Sequence, residues 1–193
     1  MSFFVTMVDD SYQFTTAGYV AMILILIAVF VGAAALAQKG KQKKSMSARH
    51  LAFCAVSVAL AMVTSMIKLY SFPFGGSVTL FSMLFICLPG YFFGVGTGIL
   101  TAAAYGILQL IIEPYIYFPN QVIVDYVLAF GALGLSGLFC NAKHGLIKGY
   151  IIGIIGRYVF AVLSGWLFFG EYAWEGWNPL AYSLAYNGAY IFA

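Results

Sequence analysis

The sequence predicts an all-α integral membrane protein, and three observations carry that reading. Of its 193 residues, 63% are hydrophobic and only 8% are charged, whereas a soluble domain carries about 25% charged residues. The apolar residues fall into runs close to the roughly 20 residues that a helix needs to cross the hydrocarbon. The few charges segregate, with bases in alternate connecting segments and acids in the others.

Seven runs qualify or nearly qualify as spanning helices, at about 18–38, 50–69, 78–95, 96–113, 121–140, 147–169 and 180–193. Their polar groups are few enough to be satisfied inside helices, as a bilayer demands. The first run reads as a retained helix rather than a secretory leader. Met1 to Gly18 holds Asp9 and Asp10 but no Lys or Arg, and a basic cluster follows the apolar stretch, which is a stop-transfer pattern. Residues 1–38 therefore read as an outer segment plus an extra transmembrane helix. Residues 39–49 read as a basic cytoplasmic linker, and 50–193 as a six-helix membrane domain that does the work. The last run ends in Tyr190-Ile-Phe-Ala193 with no polar terminus, which leaves open whether the chain continues.

Charge sets the expected orientation. Lys39, Lys41, Lys43, Lys44 and Arg49 lie between the first two runs, and Lys143 and Lys148 between the fifth and sixth. The positive-inside rule makes both segments cytoplasmic. Seven helices then place the N-terminus outside and the C-terminus inside. The acids Asp9, Asp10, Glu113, Asp125, Glu171 and Glu175 all fall on the outer side, and only Lys68 and Arg157 break the pattern.

Several function classes drop out. Cys54, Cys87 and Cys140 form no close pair, and His50 and His144 sit beside bases in loops. Neither set has metal-ligand spacing. No phosphate loop, zinc-hydrolase helix or nucleophile elbow occurs. The reading is of no enzyme, no cofactor and no nucleic-acid partner. The basic linker is expected to face lipid headgroups of the bilayer.

What stands out is the run from Ser164 to Gly188. It holds all three tryptophans of the chain, with Tyr172, Tyr182, Tyr186, Glu171, Glu175, Asn178 and Asn187. Trp174 and Trp177 read first as interfacial anchors. Arg157, Ala161, Gly165 and Phe169 follow at i, i+4 and so share one helix face. Gly165 leaves room for a ligand or for a close helix neighbour. Asn187, deep in a membrane helix, is either interhelical glue or a ligand contact.

Asp125 is costly within a membrane helix, on the order of 2.5–3.5 kcal/mol on insertion scales. It is expected to face the bundle or a cavity, satisfied by a neighbour or by a ligand. Tyr126 follows it, and Tyr115 and Tyr117 lie in the preceding outer loop. Rings attract cations by about 0.5–2 kcal/mol each, and a carboxylate with an amide can fix a flat heterocycle. The expected ligand is thus a small cationic aromatic compound, held near the outer surface between the last three helices. The Pro/Gly-rich loop Tyr70–Thr79 is expected to act as a lid.

The runs Gly75-Gly-Ser-Val-Thr-Leu80, Asp125-Tyr-Val-Leu-Ala-Phe130 and Tyr182-Ser-Leu-Ala-Tyr-Asn-Gly188 resemble the thiamine transporter family. Its members are the substrate-binding S components of energy-coupling factor (ECF) transporters. The resemblance covers about residues 50–193. It implies a six-helix S-component bundle preceded by one extra helix, in the plasma membrane of a prokaryote. It also implies capture of thiamine or a related compound, and docking with a transmembrane coupling subunit and ATPase subunits. Carried over by position, the ligand contacts are Tyr115, Asp125, Tyr126, Gly165, Phe169, Tyr182 and Asn187. Docking falls to Ala52, Ala55 and Ala59.

Three positions depart from the family pattern: Ala161 replaces a histidine, Phe169 a tryptophan, and Asp125 a glutamate. Beside this reading stand a stand-alone ion-coupled transporter of a small cationic heterocycle, working through Asp125, and a membrane scaffold that binds nothing.

Overall fold

The computed structural model describes residues 5–8, 11–17, 20 and 47–193. The helix expected at 18–38 and most of the basic linker lie outside the described residues. Near the N-terminus β1 (Val5–Val8) pairs antiparallel with β2 (Ser11–Phe14).

From residue 48 onward the chain forms a bundle of six helical units. Helix α1 runs Ala48–Ser65. Ser47 starts it by accepting a hydrogen bond from the His50 backbone N–H at 3.4 Å, which satisfies one of the free donors of a first turn. Helices α2 (Ser82–Phe93) and α3 (Val95–Ile112) are separated only by Gly94. Its φ of +89° suits a residue without a Cβ. Unit α4 is one continuous run over 119–139. It joins an α turn (Pro119–Val122), a π segment (Ile123–Leu128), a short α stretch (Ala129–Gly131) and a 3-10 stretch (Ala132–Phe139). Helix α5 spans Gly145–Phe168 and α6 spans Pro179–Ile191. Asn178 caps α6 by accepting from the Leu180 N–H at 2.9 Å, and Pro179 sits at the first helical position, where no N–H is needed.

The expected run at 78–95 is corrected. Its helix begins only at Ser82, and the preceding residues make a hairpin of β3 (Lys68–Ser71) and β4 (Ser77–Thr79). The run at 50–69 likewise ends as helix at Ser65. Pro73, Gly75 and Gly76 favour a turn over a helix. Phe74 and Gly75, at the tip, both have positive φ, 63° and 92°. Four helical runs among the described residues are long and apolar enough to cross a membrane: Ala48–Ser65, Val95–Ile112, Asn120–Phe139 and Gly145–Phe168. Helices α2, of 12 residues, and α6, of 13, are shorter.

The core lies where α1 to α4 meet, around Ala61, Ile86, Cys87, Ala102, Tyr105 and Leu133. Backbones there approach directly. A Cβ on Gly98 would come within 2.7 Å of the Gly134 carbonyl oxygen, so α3 and α4 touch without side chains between them. Ser136 donates to the Cys87 carbonyl at 2.7 Å, which ties α4 to α2. Leu51, Val56, Val63, Ile151 and Val159 stay exposed, as lipid-facing residues do in a bundle that spans a bilayer.

Lys68, one of the two bases that break the charge pattern, is paired. Its Nζ lies 2.8 Å from Glu113 Oε1 at the hairpin end of the bundle. Glu113 is about half exposed, at 52%, so the pair is worth at most about 1 kcal/mol. Lys68→Ala is expected to leave the thermal midpoint in detergent within about 4 °C of wild type.

Candidate functional site

A cavity of about 200 Å³ lies under the β3–β4 hairpin, among α3, α4, α5 and α6. That is the scale of a small heterocycle rather than of a lipid or a peptide. Tyr115, Asp125, Tyr126, Gly165, Phe169, Tyr182 and Asn187 all line it. Residues expected from three separate stretches of sequence thus meet in one space. The wall is wider than the last three helices: Gln109 of α3 and Gly75 to Ser77 of the hairpin line it too.

The π segment explains how two consecutive residues, Asp125 and Tyr126, both face inward. An ordinary helix turns about 100° per residue, so neighbours diverge. Here the Ala129 N–H bonds back to Val124 O, five residues earlier. The wider turn admits one extra residue on the inner face. Such insertions are rare and frequently mark functional sites.

Asp125 Oδ2 accepts a hydrogen bond from Gln121 Nε2 at 2.9 Å. Ser164 Oγ stands beside the same carboxylate, buried and without a well-formed hydrogen bond. The second carboxylate oxygen is therefore left to Ser164 and to the cavity. Tyr126 has a second job beside lining the cavity. Its hydroxyl accepts from the Tyr115 N–H at 3.0 Å and donates to the Glu113 carbonyl at 3.1 Å. It grips the α3–α4 connection while its ring lines the cavity.

Asn187 is fixed within the protein. Its Nδ2 donates to the Ser183 carbonyl at 2.9 Å and to Ser183 Oγ at 3.1 Å, and its Oδ1 accepts from the Tyr190 hydroxyl at 2.8 Å. An amide oxygen has two lone pairs, so one remains for the cavity. Gly165 is what lets α5 and α6 close here. A Cβ on it would collide with Ser183 Oγ and lie 3.1 Å from Asn187 Nδ2.

Aromatic rings form two walls. Tyr115 and Phe169 stack with centroids 6.0 Å apart at 26°, and Tyr182 and Tyr186 at 5.9 Å and 24°. Tyr117 and Tyr172 pack edge-on against each other at 5.9 Å around the rim. Burial pushes the Tyr115 phenol above the ordinary tyrosine range, so it stays protonated. At the floor the Arg157 guanidinium carbon lies 4.2 Å from the Phe130 ring centroid. Ala161 joins Ile154 and Ile191 in an apolar cluster.

None of the three tryptophans lines the cavity. Trp174 and Trp177 are exposed and pack on each other at 5.4 Å, and Trp174 reaches the site only through the Tyr182 ring at 5.6 Å. Residues missed from sequence are Gln121, Ser164, Ser183 and Tyr190. Gln121 had a usable signal: it lies four residues before Asp125, a spacing that makes helix neighbours. The serines gave none, because buried serines are common in membrane helices.

The hairpin is bolted to α6. The Gly76 N–H donates to the Tyr186 hydroxyl at 3.1 Å, and that hydroxyl donates to the Pro73 carbonyl. Phe74 packs on Tyr172 with centroids 4.9 Å apart. Tyr186→Phe removes both hydrogen bonds but keeps the ring. It is expected to raise the ligand dissociation rate by about tenfold, the worth of roughly 1.4 kcal/mol, with a smaller change in association, read by stopped-flow fluorescence.

Fold and cavity together define a helical membrane protein built around a small cavity lined by aromatic and polar side chains. The chain belongs to the thiamine transporter protein family, which matches residues 51–193. It is 33% identical over 151 residues to the thiamine transporter ThiT of Bacillus subtilis, covering 71% of this chain and 77% of the relative. It is 36% identical over 101 residues to ThiT of Lacticaseibacillus paracasei, covering 44% and 50%. A solved structure of ThiT from Listeria monocytogenes superimposes with a TM-score of 0.65 at 29% identity, over 74% of this chain and 85% of that one. The family is one of transporters, not enzymes.

Proposed function

We propose that this protein captures thiamine at its outer face and delivers it across the membrane as the substrate-binding component of an ECF-type importer. The observation that carries the reading is a pair of open acceptors between two stacks of rings. Asp125 lines the cavity with one oxygen held by Gln121 and the other taken by no protein hydrogen bond, and Asn187 Oδ1 keeps a lone pair. Thiamine carries an aminopyrimidine that donates hydrogen bonds and a thiazolium cation that suits ring faces. The name of the relatives, thiamine transporter ThiT, agrees with that chemistry.

Orientation follows the charges. Arg49 adjoins His50, Lys143 follows Asn141 by two residues and Lys148 lies in the first turn of α5; His50, Phe93 and Asn141 cluster at the end of the bundle away from the hairpin. The positive-inside rule makes that end cytoplasmic, with the hairpin and cavity outward. Partner docking is assigned to α1, where Ala52, Ala55 and Ala59 are exposed along the helix. Small residues three and four apart on one helix face let another helix approach closely.

Calorimetry on the purified protein tests the ligand. Thiamine is expected to bind with nanomolar to micromolar affinity. No heat with thiamine, its phosphates or its pyrimidine precursor overturns the reading. Liposomes test the coupling. Uptake only when the coupling subunit and ATPases are present supports the importer. Uptake by the lone protein on an ion gradient, lost in Asp125→Asn, supports ion-coupled transport instead.

A further inference from the structure

The buried amide of Gln121 makes four hydrogen bonds at the edge of the cavity. It is 1% exposed, and all four of its hydrogen-bonding positions are filled. Oε1 accepts from the Tyr117 N–H at 2.9 Å and the Phe118 N–H at 3.3 Å. Nε2 donates to the Tyr115 carbonyl at 3.0 Å and to Asp125 Oδ2 at 2.9 Å. The backbone partners fix which way the amide points. Two N–H groups need the oxygen and a carbonyl needs the NH₂, so the reverse orientation would break three bonds. The group aimed at Asp125 is therefore a donor, and Oδ2 is held as an acceptor.

We propose that Gln121 is a positioning residue for binding: it turns Asp125 so that one oxygen faces the ligand and joins that carboxylate to the aromatic rim. The same amide holds Tyr115 and Tyr117, whose rings pack on Phe169 at 6.0 and 5.6 Å. Tyr115 also lies under the hairpin tip, 3.4 Å from where a Cβ on Gly75 would stand. Acid, rim and lid contact are thus set by one side chain. A carboxylate with one oxygen occupied by an amide presents a single, directed acceptor. It selects a ligand whose donor arrives along that direction and disfavours cations that need both oxygens. The proposal rests on the reading of Asp125 as the ligand's anchoring acid.

A double-mutant cycle tests it, with thiamine affinity read by calorimetry and thermal midpoints measured without ligand. Gln121→Met is expected to weaken binding by at least about tenfold in the wild-type background, as loss of a hydrogen bond to a charged group does. In the Asp125→Asn background it is expected to weaken binding by less than about threefold, because the carboxylate acceptor that it turns to the ligand is gone. Equal losses in both backgrounds would mean that Gln121 only supports the fold, and the proposal falls. Gln121→Glu is the second variant if the methionine protein does not fold. It keeps the acceptor for Tyr117 and Phe118, removes both donors and sets a second carboxylate against Asp125, so in the wild-type background its loss is expected to exceed that of the methionine variant. Paired with Asp125→Asn it restores a donor–acceptor contact with the roles reversed, so its loss in that background is also expected to be small. If Asp125→Asn alone leaves affinity unchanged, the reading of the acid fails, whatever Gln121 does.

Discussion

Asp125→Asn is expected to weaken ligand binding by at least about 100-fold, equivalent to roughly 2.7 kcal/mol. The substitution keeps size and shape but reverses a polarity. Gln121 Nε2 donates to this side chain at 2.9 Å, so the new amide turns its oxygen toward Gln121. Its NH₂ then faces the cavity, where a donor meets the donors of an aminopyrimidine. Loss of charge also removes the attraction for a cation. Hydrogen bonds to charged groups are worth about 1.5–3 kcal/mol, which sets the size of the effect. Folding moves the other way. A buried carboxylate without an ion pair costs desolvation energy, so the ligand-free thermal midpoint is expected to hold or rise. Calorimetry and a thermal scan on the same preparation separate the two. An unchanged dissociation constant would sink the anchoring role.

Gly106→Ala is expected to destabilise the protein by at least about 3 kcal/mol, the upper range for forcing atoms into a packed core. Gly106 lies on α3, and a Cβ there would run into the backbone carbonyl of Tyr126. Backbone cannot swing aside as a long side chain can. The expected result is that the π segment is pushed off α3, with loss of ligand binding as well as of thermal stability. Helix propensity alone predicts the reverse, a gain of about 1 kcal/mol for Ala over Gly. Gly96→Ala is the control, because nothing lies within 4 Å of its Cβ position. That variant is expected to be neutral or slightly stabilising. A fall in midpoint at Gly96 as large as at Gly106 would refute the packing argument.

Much of this was legible from composition and periodicity, and the exceptions have physical causes. The helix expected at 121–140 is present at 119–139 and that at 147–169 at Gly145–Phe168, because apolar length and basic flanks mark such runs. The hairpin was read as a loop. Its strands are four and three residues long, and their partner interactions depend on Tyr186, more than a hundred residues away. The π segment could not be read at all, since Ile123–Leu128 differs from any apolar helix only in how its turns close. All seven expected site residues line the cavity, and Asp125 and Asn187 were legible because a polar group inside a membrane helix demands a reason. Their partners were not. Whether Ser164, Ser183 or Gln121 faces the same space is decided by rotation about three helices at once.

The seams of backbone against backbone join α3 to α4, and α4 to α5, where a Cβ on Gly153 would come within 3.1 Å of the Leu133 carbonyl oxygen. The contacts that hold α6 and the hairpin at Gly165 and Gly76 are made by side chains instead. The cavity therefore has a stiff wall carrying Asp125 and a yielding wall carrying Asn187 and Tyr182. Ordering on ligand entry is expected to fall mainly on the yielding side. In a hydrogen-exchange experiment, the added protection on binding would concentrate in the hairpin and α6, while the amides of α3 stay slow whether or not the cavity is filled.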